Sequence, residues 1–150
     1  MRVASSGILL LGTLAVLGMG CAPPAPKIPQ TTPGTPPALA GEWTLVELGG
    51  HTAPLGAGRK PGTIAFDTKA SRVSGFAGCN RFSGTYKTTG DALAFGPLAL
   101  TKMACDEGMD LENLYADALS RTTRFEFVGG SLTLLHEKDS LARFERPEKP

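Results

Sequence analysis

The chain has 150 residues with 15 basic and 14 acidic side chains, a formal charge of +1, and only two histidines and three cysteines. No lysine or arginine cluster stands out, which sets aside non-specific nucleic-acid binding, because that requires grouped cations against phosphates. Two histidines and three cysteines without metal-type spacing likewise offer no metal centre.

Arg2 opens the chain and is followed by an apolar run from Val3 to Met19. The run is too short and too early for a stable membrane span, but it has the form of a signal h-region. Its end, Leu17-Gly18-Met19-Gly20-Cys21, resembles a bacterial lipobox, in which the cysteine is acylated and becomes N-terminal. Leu17 lies one place further from Cys21 than the usual lipobox leucine, and Met19 is bulky. Ordinary cleavage and an uncleaved anchor are therefore the alternatives to lipidation of Cys21.

Residues Ala22–Pro37 hold seven of the 12 prolines and no aromatic residue. Such a stretch builds no core; it favours extended polyproline conformations rising about 3 Å per residue, a semi-rigid stalk for whatever follows. The expected organisation is a signal over 1–20, a lipidated cysteine and tether over 21–40, a domain over 41–146 and a tail over 147–150. Removing 1–20 takes Arg2 alone from the 15 basic residues, leaving 14 against 14 acidic ones.

Within the domain, Glu42–Leu48 alternates apolar residues behind Trp43 and stops at Gly49-Gly50, the pattern of a first strand. The stretch from His51 to Gly62 reads as loop, with Pro54, Gly56, Gly58, Pro61 and Gly62. Short strands follow at Thr63–Asp67, Arg72–Phe76, Arg81–Thr88 and Ala92–Phe95, and Leu98–Thr101 is either a sixth strand or an extended approach to Cys105. Between Phe76 and Arg81 sits the corner Gly78-Cys79-Asn80, where Gly and Asn tolerate positive φ and Cys79 is held in a defined direction.

One helix is expected, from Met109 to about Thr122, because Leu111, Leu114, Tyr115, Ala118 and Leu119 form a single apolar stripe. Asp106 or Asp110 supplies its cap, Glu107, Asp110 and Glu112 lie near its positive end, and Arg121 and Arg124 near its negative end. Three further strands, 124–128, 131–136 and 140–145, form a meander, the first pair joined by Gly129-Gly130. The predicted core comprises Trp43, Ile64, Phe66, Phe82, Tyr86, Leu93, Phe95, Leu114, Leu119, Phe125, Phe127, Leu132 and Leu134. The fold class is α+β: a curved antiparallel sheet or barrel-like roll of about seven to nine short strands with one packed helix.

Gly78-Cys79-Asn80-Arg81-Phe82-Ser83-Gly84 and Leu98-Ala99-Leu100-Thr101-Lys102-Met103-Ala104-Cys105, followed by an acidic helix and a leucine-rich strand at Ser131–Leu135, resemble the META domain family. Gly78, Cys79, Asn80, Arg81, Phe82, Gly84, Thr101, Met103 and Cys105 carry the likeness, specifically to its HslJ-like outer-membrane lipoproteins. The resemblance implies the curved antiparallel fold with one helix and an envelope role linked to heat, envelope stress or antibiotic tolerance. Ala22 and Pro23 lack the acidic residue that retains many lipoproteins at the inner membrane, so similarity to that sorting pattern implies the outer membrane, facing the periplasm.

Cys79 as a nucleophile would have to recruit His136 or His51 with Asn80 or Asn113, yet no cation is predicted beside it to form a thiolate. A disulfide between Cys79 and Cys105 fits better, because export leads to an oxidising compartment and two cysteines remain once Cys21 is acylated. Two small buried thiols are the alternative. No catalytic residue, metal or cofactor is expected. Partners are the membrane, through Cys21, and an unidentified envelope protein or peptide. Two function classes stay open: a structural or stress-response lipoprotein, and a tethered chaperone- or pilot-like module that holds a peptide or apolar ligand.

Overall fold

The computed structural model describes residues 37–147. The expected signal, Cys21 and the tether up to residue 36 lie outside the described residues. A 3-10 turn, Pro37–Leu39, leads into β1 (Gly41–Leu48), followed by β2 (His51–Thr52), β3 (Thr63–Asp67), β4 (Arg72–Phe76), β5 (Arg81–Thr89), β6 (Ala92–Phe95) and β7 (Ala99–Leu100). The helix α1 (Met109–Arg121) comes next, and β8 (Arg124–Val128), β9 (Ser131–His136) and β10 (Asp139–Glu145) complete the domain.

Every pairing is antiparallel, and the order β1-β3-β4-β5-β6-β8-β9-β10 closes when β10 returns to β1. The result is an eight-stranded barrel with β2 and β7 as extra strands on β1 and β5. Closure removes the open edges that a sheet of short strands would otherwise present. The seam between β6 and β8 is thin, with one register pair, Ala92 against Arg124. β2 was expected to be loop; it pairs with Glu47 and Leu48 through its backbone while both its side chains are exposed, so no burial period marks it.

A barrel of eight strands is just wide enough for side chains to fill it. Trp43, Ile64, Phe66, Phe82, Tyr86, Leu93, Leu132, Leu134 and Phe144 do so. The helix presses Tyr115 into this interior. Its ring stacks edge-on against Phe82 of β5 at 5.8 Å and lies 6.0 Å from Phe144 of β10, two strands on opposite sides of the barrel order. Its hydroxyl donates to the Thr63 carbonyl at 3.2 Å.

Four expectations need correction. Leu114 is 57% exposed, because the buried face of α1 is Leu111, Glu112, Tyr115, Ala118 and Leu119, centred on Tyr115. Leu114 sits roughly 100° around the helix from that centre. Phe127 lies at the rim, 37% exposed, with its ring 5.8 Å from Trp43. The helix cap is Gly108 with no side-chain cap bond, rather than Asp106 or Asp110, and Arg124 belongs to β8, where it pairs with Asp91.

At the opposite end of β1, Leu39 is fully buried and its carbonyl accepts the Trp43 indole N–H at 3.0 Å. Arg146, just past β10, donates to the Ala40 and Ala38 carbonyls at 2.7 and 2.8 Å, and its guanidinium carbon lies 3.8 Å from the centre of the Trp43 ring. One arginine thus ties the chain just past β10 to the segment that precedes β1.

Candidate functional site

The corner between β4 and β5 is built from close backbone approach. Gly78 has φ +115°, and a Cβ there would stand 2.7 Å from the Gly108 carbonyl oxygen and 2.9 Å from Leu111 Cγ. Gly108, with φ +90°, would in turn bring a Cβ within 2.4 Å of the Gly78 oxygen. The first turn of α1 can therefore rest on the corner only because both positions lack a side chain.

Of the two corner residues that tolerate positive φ, Gly78 adopts it and Asn80 does not. Asn80 contributes its amide. Its Oδ1 accepts the Thr101 hydroxyl and the Met103 N–H, both at 2.8 Å, and its Nδ2 donates to the Met103 carbonyl at 3.0 Å. Its backbone N–H donates to Glu112 Oε2 at 2.8 Å, and Nδ2 reaches Oε1 at 3.3 Å. Thr101 also accepts the Arg81 N–H at 3.1 Å, which continues the β5–β7 pairing. Asn80 is buried, so full satisfaction of its amide is what such a position demands.

Cys79 and Cys105 are joined in a disulfide with their Cα atoms 5.9 Å apart. The pair closes the same seam that Asn80 closes by hydrogen bonds, so the corner and the 97–105 segment are tied twice. Phe82 is buried, whereas Arg81 and Met103 are exposed. A Cβ at Gly84 would meet the Pro97 oxygen at 2.8 Å, which lets the segment before β7 pass close over β5.

As disulfide partners, neither sulfur carries a thiol. The two histidines stand elsewhere: His51 is exposed in β2, and His136 Nδ1 lies 2.8 Å from the Arg121 carbonyl at the far end of α1 from the corner. Among the described residues no group of three or more His, Cys, Asp or Glu is placed to hold a metal, and no helix is long and apolar enough to cross a membrane. Burial pushes the Tyr115 phenol well above its ordinary pKa, so it stays neutral and acts as a donor to Thr63.

Outside the barrel, next to the disulfide, lies a groove of about 570 Å³ walled by Pro61, Phe76 and Met103, with Lys60, Arg81 and Glu42 also lining it. It continues over Thr63, Arg81 and Thr101 into a second hollow of about 520 Å³. The register explains the second hollow. Glu42, Ala65, Ser74, Ser83 and Ala99 are successive cross-strand neighbours from β1 to β7, and four of the five side chains are very small.

Glu112 and Arg146 are the residues whose roles escape sequence reasoning. Glu112 reads as a first-turn acid for the helix dipole, and Arg146 as the start of the tail. A signal for Glu112 exists in the helical spacing, since it lies on the Leu111–Tyr115–Leu119 side; Arg146 leaves none, because its partners are carbonyls.

The META domain model matches residues 37–148. No curated protein matches the chain. A protein from Burkholderia xenovorans, solved by NMR, is 26% identical with a TM-score of 0.58, and the match covers 85% of this chain and all of that one. A second NMR structure is 27% identical with a TM-score of 0.53, covering 70% of this chain and 88% of the other. A crystal structure of a DUF4847 family protein from Bacteroides vulgatus ATCC 8482 has a TM-score of 0.52 at 14% identity, covering 75% of this chain and 96% of that one, a likeness of fold alone. With the doubly tied corner seated inside a match that spans well over half of its length, the chain belongs to the META domain family.

Proposed function

We propose that this chain is a non-enzymatic envelope lipoprotein, exported by residues 1–20, acylated at Cys21 and displaying its META domain from the Pro-rich segment on the periplasmic side of the outer membrane. Its role is in envelope or heat stress. The Cys79–Cys105 disulfide carries this reading, since such bonds persist in oxidising compartments and are rare in the cytosol. The lipobox-like Leu17–Cys21 run and the prolines that follow support the anchor. Intact mass of the chain extracted from membranes tests it. The expected mature chain begins at Cys21 with added acyl mass, and Cys21→Ala accumulates unprocessed or leaves the membrane. An unmodified N-terminus within the Pro-rich segment would sink the lipoprotein reading. Loss of growth by a deletion strain after heat or envelope stress, restored by the intact gene, tests the role.

A second reading, a tethered module that holds a ligand, is favoured by the groove outside the barrel. The interior is packed with side chains, so a ligand would sit on the outer face.

A further inference from the structure

We propose that the groove beside the Cys79–Cys105 corner binds the C-terminal end of an extended peptide, with its free carboxylate against Arg81 and Lys60 and an apolar last side chain against Pro61, Phe76 and Met103. The proposal rests on the ligand-holding reading above and names the ligand class.

Charge is the first argument. Arg121, Arg124 and Arg143 are engaged with carboxylates, and Arg146 with carbonyls and Trp43. Arg81 and Lys60 line one groove, and among the described residues neither forms an ion pair. Two cations facing one cavity favour an anion, and a charge-assisted bond to a carboxylate is stronger than a neutral one. Glu42 on the same groove disfavours a second acidic group and can accept a peptide N–H.

The walls give the second argument. Met103 is 59% exposed although its N–H and carbonyl are both locked to Asn80. An exposed thioether on a rigid backbone, opposite Pro61 and the half-buried Phe76, offers an apolar seat that needs little ordering on binding. The floor is the third. The row Ala65, Ser74, Ser83 and Ala99 has no bulky side chain, so a main chain can lie close across it. Five strands spaced about 4.8 Å apart make a trough of roughly 19 Å, the reach of about six extended residues.

The test uses the full chain in phosphatidylcholine nanodiscs and a fluorescein-labelled hexapeptide ending in leucine, as the free acid and as the C-terminal amide, read by fluorescence polarisation. The acid is expected to bind about tenfold tighter than the amide, as one charge-assisted bond gives. Arg81→Gln and Lys60→Gln each weaken the acid about fivefold, leave the amide unchanged and leave the melting temperature unchanged. Ser83→Phe, which fills the trough, abolishes binding of both. Equal affinity for acid and amide, or equal weakening by Lys138→Gln on the β9–β10 turn, overturns this assignment while keeping the ligand-holding reading. Binding of neither peptide at millimolar concentration overturns both.

Discussion

Glu112 on α1 and Asn80 at the β4–β5 corner are 32 residues apart in the chain, and the Asn80 N–H meets the Glu112 carboxylate at 2.8 Å. With Glu112 on the buried face of α1, Tyr115 points into the interior and Leu114 faces solvent. Asn80→Ala leaves the part-buried Met103 N–H and carbonyl, and the buried Glu112 carboxylate, without the side-chain amide. The expected loss is about 1–3 kcal/mol, from several hydrogen bonds lost at a part-buried corner. Urea denaturation monitored by Trp43 fluorescence measures it. A loss below half a kcal/mol would show that the amide network does not hold the corner.

The helix rotation gives a paired prediction. Leu114→Ala changes stability by less than about 0.5 kcal/mol, as surface substitutions do. Tyr115→Ala removes a fully buried ring between Phe82 and Phe144 and costs about 3–5 kcal/mol. Comparing the two denaturation midpoints decides which face of α1 docks.

The disulfide closes a loop with a sequence separation of 26. Closing about 27 residues destabilises the unfolded chain by roughly 3.5 kcal/mol on the chain-entropy argument, an upper figure because denatured-state structure reduces it. Reductant is expected to lower the melting temperature of the wild-type chain and to leave the Cys79→Ala/Cys105→Ala double variant unmoved. Mass spectrometry without reductant should find neither thiol free; two titratable thiols would contradict the bond.

Arg146 and Trp43 offer a spectroscopic check, because the chain has one tryptophan. Arg146→Ala removes the cation over the indole and frees the Ala38 and Ala40 carbonyls. Trp43 emission is expected to rise or shift to the red, and stability to fall by about 1–2 kcal/mol. Unchanged emission would mean that the clamp does not persist in solution.

Asp91 and Arg124 sit at the thin β6–β8 seam. The Arg124 hydrogen bond, at 2.5 Å from Nη2, and then its charge hold the Asp91 carboxyl below the ordinary aspartate value. A lowered carboxyl pKa contributes stability above the ordinary value, and that contribution is lost as pH falls through the lowered one. NMR titration should place Asp91 below the usual range, and Arg124→Gln should return it there. The same variant should speed amide exchange at Leu93 and Phe125, whose N–H groups bond across this seam.

Local pattern alone determines much of this protein. Period-two alternation marks nearly every strand, the Gly129-Gly130 turn has both φ values positive as its composition demands, and the apolar spacing places α1 within one residue of its observed end. The Gly78–Asn80 corner and Cys105 stand out for their residue types. Tertiary structure decided the rest, because it depends on partners distant in sequence. Closure of β10 onto β1 joins chain ends that no local period connects. Leu114 and Tyr115 are both apolar on one stripe, and contacts distant in sequence, Glu112 with Asn80 and Tyr115 with Phe82, Phe144 and Thr63, select which is buried. Phe127 keeps the alternation of Phe125 yet lies where the barrel runs out. A glutamate in a first helical turn and an arginine before a tail look like solvent-facing charges until a buried N–H and two carbonyls are folded against them.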